Sequence, residues 1–382
     1  MIRRVKIGIV VPYSWSFWGA VVEHAELQAD ALRRRGHDVR LVMGNDPPGS
    51  FTRVLHPRLG RHDSPPPEVI PVGRSVIVPA NGALPNIILS PRTVGRVKRA
   101  LEREQFDLLH LHEPMTPAIC VAALALAKCP IVATHHASGQ LNWLSFGKPV
   151  WGFLMERIDY RIAVSEPARE SAMRHHGGEY ELIPNGVLIP EHADPARREH
   201  RVVFLGRHEP RKGLHVALRA WPEIRRRTGA RLRVIGADPL AVGLLLARLR
   251  VPDEGIDVLG FLSQEELTQE LVHAKALVAP SLGGESFGMI LTRAFACATP
   301  VVASDIPGYR GVMEPGAGVL IPPGNPAALA EAVERLLADE PRREALGRGA
   351  RELAQAKYSW DDIAGRLTEI YEQVAGKVAV AA

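Results

Sequence analysis

The chain is poor in cysteine: it has three in 382 residues, Cys120, Cys129 and Cys297, and each stands among apolar neighbours. Their spacing matches neither a disulfide framework nor a zinc site, so we expect a protein of the reducing cytoplasm. The sequence also lacks an apolar run approaching the roughly 18 residues of a membrane-spanning helix. Residues 5–11 form a shorter apolar stretch, which predicts a first β-strand rather than a secretion signal.

Neither sign of charge is in large excess. The chain carries 47 Lys and Arg against 42 Asp and Glu, a formal net charge of +5. This small excess favours anionic partners, namely nucleotide phosphates, anionic lipid or nucleic acid, although most surface charges only solvate a fold. With 46% hydrophobic residues, a chain of this length can build the large cores of two or three soluble domains.

Short apolar runs alternate with amphipathic helical stretches in two parts of the chain. Strands are predicted at 5–11, 39–43, 108–111, 131–133 and 161–164, and then at 202–205, 232–235, 256–259, 276–278, 301–303 and 319–321. This alternation predicts an α/β protein with two doubly wound parallel sheets. The charged, aperiodic segment 190–200 predicts a linker between domains 1–190 and 200–358, followed by a last helix at 360–376.

Residues 281–305 combine a glycine-rich loop with a helix and a strand. Gly283 and Gly284 permit a sharp turn, and Glu285 and Ser286 follow where we expect the helix to start, with Ser286 as a cap. A helix N-terminus beside such a loop is a favourable anion site. The same pattern also fits an ordinary loop, helix and strand of an α/β domain.

A second motif, FLGRHEPRKG, is basic and follows the strand predicted at 202–205. It places Arg207 and Lys212 beside Gly206 and Gly213. A guanidinium and an ammonium group together suit a diphosphate, on which negative charge grows as a leaving group departs. The alternative is an exposed basic turn without a ligand.

Histidines cluster at the ends of two strands predicted for the first half. ATHHAS contains His135 and His136, at a position where open α/β sheets bind ligands. HLHEP contains His110, His112 and Glu113, which by composition could bind a metal ion. A structural role without a ligand is the alternative for both motifs.

Residues 90–103 predict an amphipathic helix that begins with Ser90 as cap and Pro91 at its first position. Four arginines fall on one side of it, Arg92, Arg96, Arg99 and Arg103, and Lys98 is a further cation of the helix. Val94, Val97 and Leu101 are predicted on the opposite side, facing a core. The basic side is either a solvated surface or a docking surface for anionic lipid.

These motifs resemble those of family 4 glycosyltransferases, which are retaining enzymes of the GT-B fold. The resemblance covers nearly the whole chain and includes PYS, HLHEP, IVATHH, IAVSEPAR, IPNGV, EPRKG and APSLGGESFG. It is strongest to the phosphatidylinositol mannosyltransferases of actinobacteria. It implies two Rossmann-like domains facing a central cleft, with the last helix crossing back onto the first domain.

The implied reaction is transfer of mannose from GDP-mannose to the inositol of a membrane lipid, with no metal ion or other cofactor. The first domain would bind the acceptor and the second the nucleotide sugar. Such a protein would be cytoplasmic or peripheral on the inner face of the plasma membrane. Nucleotide sugar and anionic phospholipid are the expected partners, and nucleic acid is not expected.

The resemblance also assigns roles to residues. Arg207 and Lys212 would hold the diphosphate, Glu285 the sugar hydroxyls, and His136 the reacting face. Other donor-binding residues would be Gly19, Ala20, Gly206, Gly284, Ser286, Phe287, Gly288 and Arg293. The acceptor or membrane side would comprise Tyr13, Arg92, Arg96, Lys98 and Arg99.

Two positions depart from the family pattern. Ala20 replaces a glycine of the first loop, which is tolerable if its φ is negative. Arg293 replaces a glutamate that accepts hydrogen bonds from ribose hydroxyls, and it could pair with Glu285 instead. These departures leave a catalytically weakened binding paralogue open as an alternative. Another nucleotide sugar or a soluble acceptor is a second alternative. A nucleotide-sugar epimerase is a third, although it would place acid and base carboxylates in the cleft rather than this donor signature.

Overall fold

The computed structural model of the protein describes residues 4–17, 19–49, 52, 56, 64–78, 86–137, 148–194 and 198–381. The chain divides into two compact units. Unit 1 comprises residues 1–186 and 360–382, and unit 2 comprises residues 187–359. Unit 2 thus begins ahead of the segment that the sequence marks as a linker.

Unit 1 is built on a parallel sheet. Its strands are β1 (Lys6–Ser14), β2 (Asp38–Gly44), β3 (Val69–Pro71), β4 (Val76–Ile77), β5 (Asn86–Ile87), β6 (Leu108–His112), β7 (Ile131–His135), β8 (Tyr160–Ala163) and β9 (Glu181–Leu182). Seven strands pair in the parallel order β3-β2-β1-β6-β7-β8-β9, and the antiparallel pair β4 and β5 joins β1. The five predicted strands are confirmed, while the sequence missed those of two or three residues.

Unit 2 contains a six-stranded sheet that is parallel throughout. Its strands are β10 (Glu199–Leu205), β11 (Arg231–Ile235), β12 (Ile256–Gly260), β13 (Ala274–Ala279), β14 (Val301–Ser304) and β15 (Gly318–Ile321), in the order β12-β11-β10-β13-β14-β15. All six were predicted. The strand order reverses between β10 and β13, as it does between β1 and β6 in unit 1. Open parallel sheets bind ligands beyond the carboxyl ends of the strands at such a reversal.

Helices connect the parallel strands. Unit 1 has α1 (Ala20–Arg34), α2 (Arg92–Glu104), α3 (Ile119–Leu126), α4 (Lys148–Glu156) and α5 (Glu166–His176), and unit 2 has α6 (Leu214–Thr228), α7 (Pro239–Leu249), α8 (Gln264–Val272), α9 (Met289–Ala296), α10 (Pro307–Arg310), α11 (Pro326–Ala338) and α12 (Glu340–Lys357). The last helix, α13 (Trp360–Ala381), returns to unit 1. Within the described ranges, none of these helices is both long enough and apolar enough to cross a bilayer.

Helix α13 completes the core of unit 1. Its buried side chains Trp360, Leu367 and Tyr371 pack in one cluster with Leu32 of α1 and Ile9 of β1. Tyr371 also accepts a hydrogen bond from the Gln28 side chain at 3.0 Å. The predicted return of the last helix to the first domain is therefore confirmed.

Helix α2 shows where helical periodicity failed. The buried residues are Thr93, Val97 and Ala100, whereas Val94, which was predicted to face the core, is 43% exposed. The helix begins at Arg92, so Pro91 occupies the cap position that was predicted for Ser90. The basic side is nevertheless intact, because Arg92, Arg96, Arg99 and Arg103 are all exposed, as is Lys98 elsewhere on the helix.

Candidate functional site

Two loops meet at the strand reversal of unit 2. One follows β10 (residues 206–213) and the other follows β13 (residues 280–288). The amide of Leu282 donates to the carbonyl of Arg211 at 2.7 Å, which joins the loops. Gly213 has φ +72°, and a Cβ placed there would lie 1.8 Å from the carbonyl oxygen of Pro280. Only glycine allows the two loops to approach this closely.

Replacement of Gly213 by alanine should therefore destabilise unit 2 by more than the cost of a left-handed backbone alone, which is about 1–2 kcal/mol. Gly213 precedes the first residue of α6, and Gly229, which ends that helix at φ +70°, is the matched control. No atom lies within 4 Å of a Cβ added at Gly229. Urea denaturation should show a larger loss for Gly213→Ala than for Gly229→Ala. Equal losses would mean that the loops can separate at little cost.

The two loops are linked by a network of ion pairs. Lys212 Nζ lies 2.8 Å from Glu285 Oε1, and Arg211 Nη1 lies 2.9 Å from the same oxygen. Arg211 Nη2 also contacts Glu209 Oε2 at 2.9 Å, and Arg207 Nη2 contacts Glu209 Oε1 at 3.0 Å. Three cations thus surround two carboxylates, which leaves the network with a surplus of one positive charge.

Most of this network is shielded from water. The Glu209 and Glu285 side chains are 8% and 9% exposed, and Lys212 is 15% exposed. Lys212 is therefore not the cation of an exposed basic turn, because its ammonium group turns in toward Glu285. Burial lowers the pKa of Lys212, and the Glu285 carboxylate opposes part of that shift. Arg207 is the more open cation, with a 37% exposed side chain.

Glu285 is seated by the segment that includes α10. A Cβ on Gly308 would lie 1.9 Å from the carbonyl oxygen of Glu285, so this backbone approaches the loop at a glycine. Ser281 Oγ donates to Glu285 Oε1 at 3.4 Å and also bonds the buried Tyr309 hydroxyl at 2.8 Å. This packing fixes the direction of the carboxylate.

The start of helix α9 differs from the prediction. The helix begins at Met289, and its cap is Gly288 with φ +85° and no side-chain hydrogen bond, so Ser286 does not cap it. Phe287 is buried and packs edge-on against Tyr358, with ring centroids 5.7 Å apart. Its side chain therefore belongs to the core of unit 2.

Two residues of this site were missed from the sequence, Glu209 and Arg211. Arg211 contacts both carboxylates and also donates to the carbonyl of Gly284 at 3.0 Å. Both stand inside the EPRKG motif, between Arg207 and Lys212. The alternation of acid and base within that motif was the signal that could have identified them.

Arg293 lies half-buried on α9. Burial raises the pKa of the Cys297 thiol to about 12, and the guanidinium groups of Arg351, Arg198 and Arg293 each act to lower it. Arg293 therefore lies within electrostatic reach of Cys297, one helical turn away. The Glu285 carboxylate already contacts two other cations, Arg211 and Lys212.

The first loop of unit 1 accommodates its alanine. Gly19 caps α1 in an extended conformation at φ −164°, and Ala20 is the first helical residue. Ala20 is not among the residues with positive φ, so the condition for tolerating its methyl group is met. Gly19 and Ala20 are exposed, Tyr13 is half-buried, and Trp15 and Phe17 are buried in packing roles.

The strand-end histidines of unit 1 are buried and have different partners. His136 Nε2 lies 2.8 Å from His112 Nδ1. His110 instead faces the Tyr371 hydroxyl at 2.5 Å and Thr134 Oγ1 at 2.7 Å. His135 packs against Tyr180, with ring centroids 5.1 Å apart. The adjacent His135 and His136 thus face different surroundings.

Glu113 holds the backbone at His136. Its Oε1 accepts from the amides of His136 at 2.8 Å and Ala137 at 2.6 Å. Burial raises the pKa of Glu113, and these two amides act to lower it. The residue adopts φ +53°, an unusual value for a side chain of this size. Glu113 is therefore committed to positioning the loop that carries His136.

Because of its buried histidines, unit 1 should lose stability in acid. Burial lowers the pKa of His24, His110 and His135 from 6.5 to about 3. Below pH 6.5 the unfolded chain binds protons at these rings and the folded unit does not, so stability falls as pH falls. The slope should be about 1.4 kcal/mol per pH unit for each ring, or about 4 for all three.

Hydrogen exchange between pH 7 and pH 4 should thus show unit 1 losing protection well before unit 2. The five buried histidines named above are all in unit 1. Equal loss of protection in both units would contradict this prediction.

The comparisons with known proteins cover both units. A sequence model described as Glycosyltransferase Family 4 matches residues 21–189, and one described as Glycosyl transferases group 1 matches residues 199–339. The phosphatidyl-myo-inositol mannosyltransferase of Mycobacterium leprae is 36% identical over 97% of each chain. Its counterpart in Propionibacterium freudenreichii is 35% identical over 98% of this chain and 96% of that protein.

Solved structures show the same fold at lower identity. Sucrose-phosphate synthase from Thermosynechococcus elongatus superimposes with a TM-score of 0.74 at 21% identity, over 98% of this chain and all of that chain. Anabaena HepE in complex with UDP-glucose gives a TM-score of 0.70 at 18% identity, over 97% of this chain and all of that one. Given the identity to the mannosyltransferases over nearly full length, the protein belongs to the family 4 glycosyltransferases, with two Rossmann-like domains of the GT-B type.

Proposed function

We propose that the protein transfers mannose from GDP-mannose to the inositol of phosphatidylinositol, with retention of configuration at the sugar. The observation that carries the proposal is the ion-pair network at the strand reversal of unit 2. The relatives are named phosphatidyl-myo-inositol mannosyltransferases, which supports the choice of sugar and acceptor.

The network in unit 2 suits a nucleotide diphosphate. Arg207, Arg211 and Lys212 exceed their carboxylate partners by one charge, so an anion with growing negative charge gains from binding there. Cations already held by Glu209 and Glu285 need little reorganisation as the glycosidic bond breaks. These side chains would stabilise the leaving group without a metal ion or other cofactor.

Glu285 has a second role in this proposal. Both of its cation contacts are made by Oε1. A carboxylate has about four acceptor positions, so Oε2 keeps capacity for hydroxyl donors of the sugar. The backbone near Ser286, Phe287 and Gly288 would contact the sugar or phosphate. Gly206 and Gly284 would let the ligand approach the loops.

In unit 1, His136 would face the reacting sugar and the leaving phosphate would take the acceptor proton. Burial holds the pKa of His136 well below its usual range, so the ring is neutral at pH 7. A neutral imidazole can accept or donate one hydrogen bond to a sugar hydroxyl. Gly19 and Ala20 would approach the donor, and Tyr13 the acceptor.

The exposed side of α2 would bind the membrane surface. Its cations Arg92, Arg96, Lys98 and Arg99 are exposed, and two apolar side chains near them in the sequence, Leu89 and Val94, are 42% and 43% exposed. An open groove of about 590 Å³ beside α2 is also lined by Arg96, Arg99 and Arg103. This surface combines charge for anionic headgroups with apolar groups for the interface.

Changing Arg92, Arg96 and Arg99 to serine should weaken binding to anionic vesicles by about 100-fold, because each cation contributes on the order of 1 kcal/mol. Vesicle flotation with phosphatidylinositol or phosphatidylcholine measures this, and high salt should release the wild-type protein. A matched control is the serine triple of Arg335, Arg342 and Arg348, which are exposed in unit 2. If the protein floats equally with vesicles of both lipids, the basic side of α2 is a solvated surface and not a docking surface for anionic lipid.

The function itself is tested with purified protein and a panel of labelled nucleotide sugars, with and without liposomes that contain phosphatidylinositol. We expect label in the lipid fraction only with GDP-mannose and only when phosphatidylinositol is present. Transfer from another nucleotide sugar, or to a soluble acceptor, would replace the proposed substrates. Binding without transfer would favour a non-catalytic paralogue.

A further inference from the structure

Three histidines of unit 1 converge although they lie far apart in the sequence. His24 comes from α1, His112 ends β6, and His136 follows β7. One ring nitrogen from each of the three lies within 4.8 Å of the other two. All three side chains are buried, at 4%, 0% and 8% exposure. We propose that these histidines form a binding site for a transition-metal ion such as Zn²⁺, and that its occupancy inhibits the enzyme.

One ring of the cluster has a nitrogen that the surrounding protein does not satisfy. His24 Nδ1 is buried and has no hydrogen-bond partner within the described part of the chain. Burying such a group is unfavourable, so a ligand that engages the rings is favoured. Burial also keeps all three imidazoles neutral at pH 7, the form that binds metal ions.

The spacing requires only a small adjustment. In a tetrahedral zinc site with bonds of about 2.0–2.1 Å, neighbouring ligand atoms lie about 3.3 Å apart. His112 Nδ1 and His136 Nε2 are 2.8 Å apart and now share a hydrogen bond. A metal ion would take the place of that proton, which would move to the other nitrogen of the same ring, and would separate the pair by about 0.5 Å, while His24 moves inward.

The type of ligand selects the type of metal. Imidazole nitrogen suits Zn²⁺, Ni²⁺, Co²⁺ and Cu²⁺, whereas Mg²⁺ prefers oxygen ligands. Three histidines leave a fourth position for water or for a substrate oxygen. Glu113, a buried carboxylate bonded to the amide of His136, supplies nearby negative charge. His110 stacks on His112 with ring centroids 4.9 Å apart and supports its orientation.

Occupancy would remove His136 from the reaction. With a metal ion on Nε2, the neutral ring carries its proton on Nδ1, so His136 can no longer accept a hydrogen bond from a sugar hydroxyl. The inhibition rests on the proposed function of His136, whereas metal binding does not. The two parts are therefore tested by separate measurements.

Metal binding is measured on the full-length, metal-free protein by titration with Co²⁺, followed by visible absorption. We expect one equivalent to bind with the intense spectrum of a four-coordinate ion, and Zn²⁺ to displace it. His24→Gln should weaken binding at least about tenfold, since even changes in the groups that support metal ligands have effects of that size. His37→Gln, a buried histidine bonded to Thr368 outside the cluster, should bind as the wild type does.

A second variant, His24→Cys, tests the site independently in case His24→Gln does not fold. In His24→Cys a thiolate can replace the imidazole, so a sulfur-to-cobalt charge-transfer band should appear. Unchanged Co²⁺ affinity in His24→Gln, absence of that band in folded His24→Cys, or a weak six-coordinate spectrum would overturn the site. If Co²⁺ binds as expected but micromolar Zn²⁺ leaves mannosyl transfer unaffected, the inhibitory role is wrong.

Discussion

Lys212→Ala should lower turnover tenfold to about 100-fold while the protein stays folded. The ammonium group lies 2.8 Å from Glu285 Oε1 and is 15% exposed, so water replaces it poorly as a source of positive charge. Loss of one preorganised group that stabilises developing charge commonly costs about 10²–10³ in kcat. The effect here should lie at or below the lower end of that range, because Arg211 still contacts Glu285.

Turnover of saturating donor is the measurement. Arg207→Ala should also cost at least tenfold, and Lys212→Arg should recover part of the lost activity because it restores the charge. Arg226→Ala is a suitable control, since Arg226 is a 68% exposed cation of unit 2 that pairs only locally with Glu223. If both Lys212→Ala and Arg207→Ala turn over at the wild-type rate, neither cation belongs to the site.

Arg293→Glu should tighten donor binding at least tenfold. The family glutamate at this position accepts hydrogen bonds from two ribose hydroxyls, and a guanidinium group has donors only. Each restored hydrogen bond to a charged group should contribute about 1.5–3 kcal/mol, which corresponds to roughly ten- to a hundredfold in affinity. The wild-type protein should accordingly be active with a weakened affinity for its donor.

Calorimetry with GDP-mannose and the purified variants measures this. Arg293→Gln is the matched control, because its amide removes the charge and restores only a neutral acceptor. It should fall between the wild type and Arg293→Glu. Weaker binding by Arg293→Glu would show that the site has been rebuilt around the arginine, which also acts electrostatically on Cys297.

The sequence predicted the elements whose signals are local. All six strands of unit 2 contain β-branched and aliphatic residues in short runs, and they are confirmed. Strands β3 and β9 were missed because two or three residues show no periodicity. Val94 was assigned to the core because its spacing places it on the apolar side of the helix. Spacing alone does not show which residues of that side contact a neighbouring element, and Val94 is exposed.

For the candidate sites, too, the sequence indicated what depends on local motifs and missed what depends on long-range contacts. EPRKG and GGESFG lie at two strand ends, so topology brings them together and the sequence indicates both. The role of Arg211 depends on a long-range contact with Glu285, which no spacing reveals. The approach of His24 to His112 and His136 likewise depends on how α1 packs on the sheet.

The return of α13 to unit 1 has a consequence for synthesis of the protein. The ribosome makes residues 1–186 first, but Trp360, Leu367 and Tyr371 belong to the same core and are made only after the 173 residues of unit 2. At about 5–20 residues per second, this interval lasts roughly 9 to 35 seconds. Unit 2 can complete its fold during that time, while unit 1 exposes the apolar surface that α13 will cover. Chaperones should therefore bind the nascent chain in the interval after residues 1–186 are made and before α13 is made.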